Sequence, residues 1–452
     1  MPPLIALLIS IILIAYLFVI DKKKSDGVSN AIWIPFIWMF IAGSRLVSQW
    51  LTMGPPMSAE DGSPLDRIVF TGLIIAGIYV LFRRKINWNH FLKRNGWIWF
   101  YFVFGLLSFL WSEYPFVSFK RWNKALGTLI MALIIMSENR PYEAIGIILR
   151  RLAFIFLPLS VVFVKYYPHL GRQYHISAGT PMFTGVATQK NGLGEICLVI
   201  GIYFLWNLLV ASMDRKETTH KLAYSIYVVM LPIWAWLFYI VDSMTSLICF
   251  GVATGIFLIA RLPAVIAEPK KLMKICLFLI FFAGIFEFSF DVKDTLITAL
   301  GRRPDLTTRV PMWEDMLSMA GNPIVGYGYE SFWLGPRLKY MREKWGMEHQ
   351  AHNGYLEMYL NMGLIGVLFI VGWIAIGLRN VYRQLSTNAT AGTLGFCLIV
   401  VIAIYNWTEA TFFGYNNLWL LLFLAIMDLD NVSENTETVD SELITQSNTL
   451  ST

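Results

Sequence analysis

Residues able to do chemistry gather in one long polar stretch, residues 291–352, between two apolar blocks. It holds Gly301-Arg302-Arg303-Pro304-Asp305-Leu306-Thr307-Thr308-Arg309, with Trp313 four residues after Arg309. It continues through Asn322-Pro323-Ile324-Val325-Gly326-Tyr327-Gly328-Tyr329 and Phe332-Trp333, and closes on Ala351-His352-Asn353-Gly354-Tyr355-Leu356-Glu357. Arginine forks such as Arg303 and Arg309 bind phosphate oxygens bidentately. The faces of Trp313 and Tyr327 suit a membrane interface and can stack on sugar rings. A histidine at the membrane edge, His352, can take a proton from a sugar hydroxyl near neutral pH. The combination suits an anionic, lipid-linked sugar.

Taken singly, each residue also has an ordinary role. Arginines at a membrane surface meet lipid headgroups, a lone histidine serves as a structural hydrogen-bonding group, and Gly326 and Gly328 can simply form a tight turn. Elsewhere, Lys190-Asn191 opens an apolar block and can be a helix N-terminus with a snorkelling lysine. Asp242 can cap the next helix, Arg121 can be an interfacial base, and Glu409 sits at a span end where a carboxylate is unremarkable. Walker, Rossmann and HExxH motifs are missing, which disfavours an ATP-driven pump. No acidic pair has divalent-metal spacing. Neither a metal nor a cofactor is therefore expected, and group transfer would draw its energy from the substrate's own leaving group.

The elements that must position these residues are membrane helices. Of 452 residues, 56% are hydrophobic and 15% charged, against about 25% charged in an ordinary soluble domain. The apolar residues come in blocks too long and too uniform for barrel strands. Thirteen spans are predicted, at about 3–20, 31–50, 67–82, 96–111, 124–137, 149–166, 191–211, 222–241, 244–262, 273–290, 354–378, 392–409 and 416–428. Alternation from Lys22, Lys23 and Lys24 puts Arg83, Arg84, Lys85, Arg150, Arg151, Arg215, Lys216, Lys270, Lys271, Arg379 and Arg383 on the cytoplasmic side. It leaves Glu60, Asp61 and Asp66 outside. The N-terminus is then outside and the C-terminus inside. Loops 165–190 and 291–352 are the long outer ones, and Arg309–Ala320 has helical character. The expected organisation is an all-α, polytopic bundle over residues 1–430 and a disordered cytoplasmic tail over 431–452. The net charge of +6 reflects topology rather than nucleic-acid binding. Cys197, Cys249, Cys276 and Cys397 read as small core residues, and no cleavable leader is expected.

The order of these motifs, GRxxxLTxRxxxW, NPxxGYGYxxFW, HNGYLE and then Gly363-Leu364-Ile365-Gly366, resembles the O-antigen ligase and polymerase superfamily. The wording around Gly301–Trp313 and Trp333 is closest to its ExoQ-type exopolysaccharide-production subgroup, although Arg302-Arg303-Pro304 departs from that subgroup's usual acidic residue after GR. Further segments are similar to the family's: Trp111-Ser112-Glu113-Tyr114-Pro115 with Ser118 and Arg121, Gly185–Gly194, Asp242-Ser243-Met244-Thr245-Ser246, and Asn406-Trp407-Thr408-Glu409. The likeness runs from about residue 111 to 417. It implies a GT-C-like fold in the bacterial inner membrane with a large periplasmic loop. It also implies donor glycans carried on undecaprenyl pyrophosphate and transfer without a nucleotide sugar or catalytic metal. On this resemblance His352 is the base, Arg309 and Arg172 hold the pyrophosphate, and Lys190 is a further cation. Asn191, Arg303, Trp313, Tyr327, Asn353 and Glu357 complete the expected substrate-binding set.

The expected reaction is a single inverting displacement at the anomeric carbon. Its acceptor is either a second lipid-linked glycan, in a polymerase, or a lipid A core sugar, in a ligase. Membrane lipids and polysaccharide export proteins are the further expected partners. A glycolipid flippase or transporter is the rival from another class, but it commonly shows inverted repeats and interrupted helices, and no repeat is evident. A non-catalytic scaffold of an export complex is a third reading.

Overall fold

The computed structural model describes residues 1–22, 27–52, 62–84, 86–174, 179–210, 220–290, 306–346 and 350–428. Lys23, Lys24, Glu60, Asp61, Lys85, Arg215, Lys216, Arg302, Arg303 and the 431–452 tail lie outside the described residues.

Every predicted apolar block falls on helix. In chain order these helices are α1 Pro3–Lys22, α2 Trp33–Gly43, α3 Val47–Thr52, α4 Pro64–Arg83, α5 Trp88–Arg94, α6 Gly96–Leu107, α7 Pro115–Met136, α8 Pro141–Tyr166, α9 Pro168–Gly171 and α10 Lys190–Leu209. They continue with α11 His220–Val241, α12 Met244–Ala260, α13 Pro263–Ala267, α14 Lys270–Phe290, α15 Leu306–Ser318, α16 Gly335–Trp345, α17 Gly354–Thr387, α18 Ala389–Tyr405 and α19 Asn417–Ile426. Among the described residues, α1, α4, α8, α10 and α17 are long and apolar enough to cross a membrane, and six further helices are apolar but shorter. The fold is all-α and polytopic apart from one hairpin: β1 (Arg172–Tyr174) pairs antiparallel with β2 (Pro181–Phe183).

Burial divides the bundle into centre and shell. Helices α8, α10, α18 and α19 and the later turns of α7 are buried along most of their length. The shell helices turn large apolar side chains outward: Ile5, Leu8 and Ile12 on α1, Ile75 and Phe82 on α4, Phe278 and Phe281 on α14. Water would not tolerate a continuous belt of this kind, whereas hydrocarbon does.

Three boundaries differ from the apolar pattern. The block at 31–50 breaks after Gly43, where a Cβ would come within 2.7 Å of the Asn417 amide and 3.0 Å of Phe156. The chain then turns so that Arg45 reaches the carbonyls of Leu170, Val186 (3.3 Å) and Ala187 (3.4 Å). Helix α7 begins at Pro115 rather than 124, and α8 at Pro141 rather than 149. Proline at the first helical turn has no N–H to leave unsatisfied there. Lys120, Arg121 and Lys124 interrupt the hydropathy of α7 without interrupting its backbone.

Charge sorts to one end. Asp21 holds Arg150 and Arg151, Glu138 holds Arg84, and Asp428 joins Arg94 (3.2 Å) to Arg383. These pairs lie at the C-terminal ends of α1, α4, α17 and α19. A cavity of about 360 Å³ opens there, edged by Tyr142, Arg383, Gln384 and Asp428. His352 stands at the opposite end of α17, just before its first residue, Gly354.

Over that opposite end lies a small cap made of α15 and α16. Met312, Met316, Phe332, Trp333, Leu338 and Met341 form its own core, which rests on Leu360 of α17. Asp315 braces the two cap helices through Lys344 (2.6 Å) and the Trp345 indole (2.8 Å). The hydrogen bond from Lys344 is the main cause holding the Asp315 carboxyl below the usual range.

Candidate active site

The backbone around His352 is built first. Asn353 caps α17, its Oδ1 accepting from the backbone N–H groups of Tyr355 and Leu356 at 3.0 Å each. Ala351 is fixed on both sides: its N–H donates to Glu357 Oε2 (2.8 Å), and its carbonyl accepts from the Trp313 indole (2.9 Å). The other Glu357 oxygen accepts from the Trp333 indole (2.5 Å) and the Asn361 amide (3.0 Å). His352, between these anchored neighbours, sits at φ +49°, a left-handed conformation that is costly for a residue with a Cβ. The local bonds hold it there.

Facing His352 is the loop after α18. Asn406 folds this loop on itself, accepting from Thr411 N–H and donating to the Thr411 hydroxyl, both at 2.8 Å. Its carbonyl accepts from Gly354 N–H at 2.8 Å, which joins the two loops. A Cβ on Gly354 would overlap the Asn406 side chain, so the junction requires glycine.

Glu409 is the centre of the resulting cluster. His352 Nδ1 lies 3.0 Å from Glu409 Oε2, and Asn191 Nδ2 donates to Oε1 at 2.7 Å. Arg309 stands 3.9 Å from Oε1 and donates to the Thr408 carbonyl at 2.8 Å. The Thr408 hydroxyl meets that of Thr245 at 2.7 Å. Side chains from α10, α12, α15 and the turn before α17 therefore meet at one loop. Arg309 and His352 remain 28% and 21% exposed while Glu409 is 6% exposed, so the two larger groups present their far edges outward. With Nδ1 against Glu409, Nε2 is the imidazole nitrogen left to face a reactant.

The expected site residues sort as follows. Arg309, His352 and Asn191 converge. Lys190 opens the same helix as Asn191, and its Nζ lies 3.6 Å from Asp242. Arg172 donates to the Val164 carbonyl of α8 (2.8 Å) and stacks over Phe183 of its hairpin, so its described contacts lie away from the Glu409 cluster. Tyr327 donates to the Met319 carbonyl (2.8 Å), and Arg337 covers its ring at 3.8 Å, so that face is closed to a sugar. Trp313 and Asn353 spend their polar groups on the backbone around His352, and Glu357 divides its oxygens between Ala351 N–H and the Trp333 and Asn361 side chains. Arg303 lies outside the described residues.

Glu409, Asn406, Thr408 and Thr245 were not among the expected site residues. The signal for the first three was the Asn406–Glu409 spacing at the end of an apolar block.

Fold and site together define a class: a polytopic helical membrane protein with a capped polar site at one end of its bundle. The family described as O-Antigen ligase matches residues 225–371, from α11 into α17, including Arg309 and His352. The likeness read from the motifs is borne out at this level. In particular, the chain is 25% identical over 315 residues to the exopolysaccharide production protein ExoQ of Rhizobium meliloti (strain 1021), covering 67% of this chain and 68% of that one. It is 22% identical over 289 residues to a putative polysaccharide ligase of Rickettsia felis (strain ATCC VR-1525 / URRWXCal2), covering 60% and 65%.

Proposed function

We propose that this chain is a glycosyltransferase of polysaccharide assembly that acts on a glycan carried by undecaprenyl pyrophosphate at the periplasmic face of the inner membrane. The meeting of His352, Arg309 and Asn191 on Glu409 carries the reading. In the proposed step the acceptor hydroxyl oxygen attacks the anomeric carbon. The bond from that carbon to the pyrophosphate oxygen breaks, and the hydroxyl proton passes to His352 Nε2. Glu409 fixes the tautomer by accepting from Nδ1–H and stabilises the imidazolium that forms. Arg309 and Lys190 offset the charge that develops on the departing pyrophosphate. One displacement inverts the anomeric centre. Similarity to the exopolysaccharide production protein favours a polymerase, with ligation to the lipid A core as the alternative.

The test uses purified full-length protein in proteoliposomes with lipid-linked glycan, reading new glycosidic linkages. His352→Ala abolishes transfer in a folded protein. Glu409→Gln lowers the rate by about 100-fold or more, within the range of general-base effects. Arg309→Lys is also harmful, because lysine cannot form the fork. Full activity in His352→Ala removes the proposed base. Glycolipid movement across the bilayer without new linkages would identify a flippase instead. Deleting the gene separates the acceptors: loss of a free polymer marks a polymerase, and loss of glycan from lipid A alone marks a ligase.

A further inference from the structure

A second charged cluster lies beyond the far end of the loop that carries Glu409. The opening turns of α7 present Lys120, Arg121 and Lys124, spaced so that the cations are neighbours on one side of the helix. Arg121 donates to the backbone carbonyl of Glu330, not to its carboxylate. Lys124 Nζ lies 5.1 Å from the ring centres of Phe70 and Tyr415. Among the described residues, neither Arg121 nor Lys124 has a carboxylate oxygen within ion-pair distance. Glu330 holds a left-handed backbone, φ +49°, and its Oε1 is buried with no hydrogen-bond partner. The Ser112 hydroxyl joins those of Ser118 and Ser331 at 2.9 Å each, fixing the segment that carries Glu330. Gly414 lies beside the carboxylate, its backbone N–H acting on the Glu330 carboxyl while Oε1 stays unmet, and its carbonyl accepts from Thr128 (3.2 Å).

Half-buried charge of both signs without direct pairing is costly, and so is a buried carboxylate oxygen left without a hydrogen bond. One class of ligand satisfies all three groups: phosphoryl oxygens for Arg121 and Lys124, and a sugar hydroxyl that donates to Glu330 Oε1. We infer that Arg121, Lys124 and Glu330 form a second glycosyl-phosphate site, which holds the headgroup of a second lipid-linked glycan, the acceptor. This rests on the transferase reading and deepens it, because a polymerase needs two such headgroups and a ligase one. Residues 406–416 join the two clusters, with Glu409 toward one end and Gly414 and Tyr415 toward the other.

The experiment measures binding of farnesyl pyrophosphate to the full-length protein in nanodiscs by calorimetry. Two equivalents bind per chain. Arg121→Gln and Lys124→Met each weaken one of them at least tenfold and spare the other, while Lys124→Arg retains both. Arg309→Lys weakens the other equivalent. Inorganic pyrophosphate binds the second site at least tenfold more weakly than the lipid; equal binding would overturn the lipid assignment. A single equivalent, or two that are indifferent to Arg121→Gln and Lys124→Met, overturns the site. The linkage assay reads separately. Transfer with one bound headgroup sinks the second site alone, and two bound headgroups without transfer sink the transferase reading alone.

Discussion

His352 is held from behind by buried groups, Glu357, Trp333 and Asn361. Glu357 accepts three N–H bonds, from Ala351, Trp333 and Asn361. A glutamine at that position turns its amide toward one of those donors and leaves an N–H buried and unmet, at a cost of about 1–3 kcal/mol. Ala351 then shifts, and His352 with it. Glu357→Gln is expected to lower the transfer rate by about 10- to 100-fold, the penalty for misplacing a reacting group by roughly an ångström. An unchanged rate with lowered thermal stability would confine Glu357 to folding. Glu330 gives a second expectation. Burial is the main cause raising its carboxyl above the ordinary range, with Arg121, Lys124 and the Gly414 backbone N–H opposing. A carboxyl raised in the folded state stabilises the fold when protonated. That contribution is complete below the ordinary glutamate value and is lost as pH rises through the raised one. Thermal stability should therefore decline across that window, and Glu330→Gln, which cannot ionise, should flatten the decline. An identical pH profile in the variant would contradict the assignment.

At the scale of elements, the site depends on how closely two backbones approach. Gly363 is left-handed (φ +63°) inside α17, and there the Asn322–Tyr329 segment lies against the helix. Leu364 N–H donates to the Pro323 carbonyl (2.9 Å) and Gly328 N–H to that of Asn361 (2.8 Å). Gly354 does the equivalent for the Glu409 loop. Gly354→Ala should therefore part His352 from Glu409 and abolish transfer while the spans still assemble, read as loss of linkages with an unchanged far-ultraviolet circular dichroism spectrum. Retained activity would show that the two loops need not touch. This level also marks where the sequence stopped being legible. Helices were readable because hydrocarbon demands long apolar runs, and the Arg309 and His352 motifs were readable because their residue types are few and reactive. The start of α7 was hidden because Arg121 and Lys124 are accommodated by a distant segment around Glu330 and Tyr415. Glu409 was hidden for a similar reason: a carboxylate at a span end is ordinary until Asn191, Arg309 and His352 arrive from elements far along the chain.

Across the whole molecule, the two polar ends differ in kind. At one, arginines are tied to Asp21, Glu138 and Asp428 at helix ends; at the other, Arg309 of the cap meets His352 at the Glu409 loop. On the proposed function the first end is expected to face the cytoplasm and the cap the periplasm, the arrangement the positive-inside rule favours. Donor chemistry on the cap side requires that orientation. The native cysteines make the test clean, since Cys197, Cys249, Cys276 and Cys397 are all buried and should not react with a bulky reagent. Lys339 lies on the cap with its side chain 77% exposed, and Glu143 at the other end is 56% exposed. In intact spheroplasts a membrane-impermeant maleimide should label Lys339→Cys at once and Glu143→Cys only after permeabilisation. The reverse pattern would place Arg309 and His352 in the cytoplasm, and periplasmic transfer would then be untenable however well the side chains converge. Equal labelling of both before permeabilisation would show that the bundle does not separate the two ends.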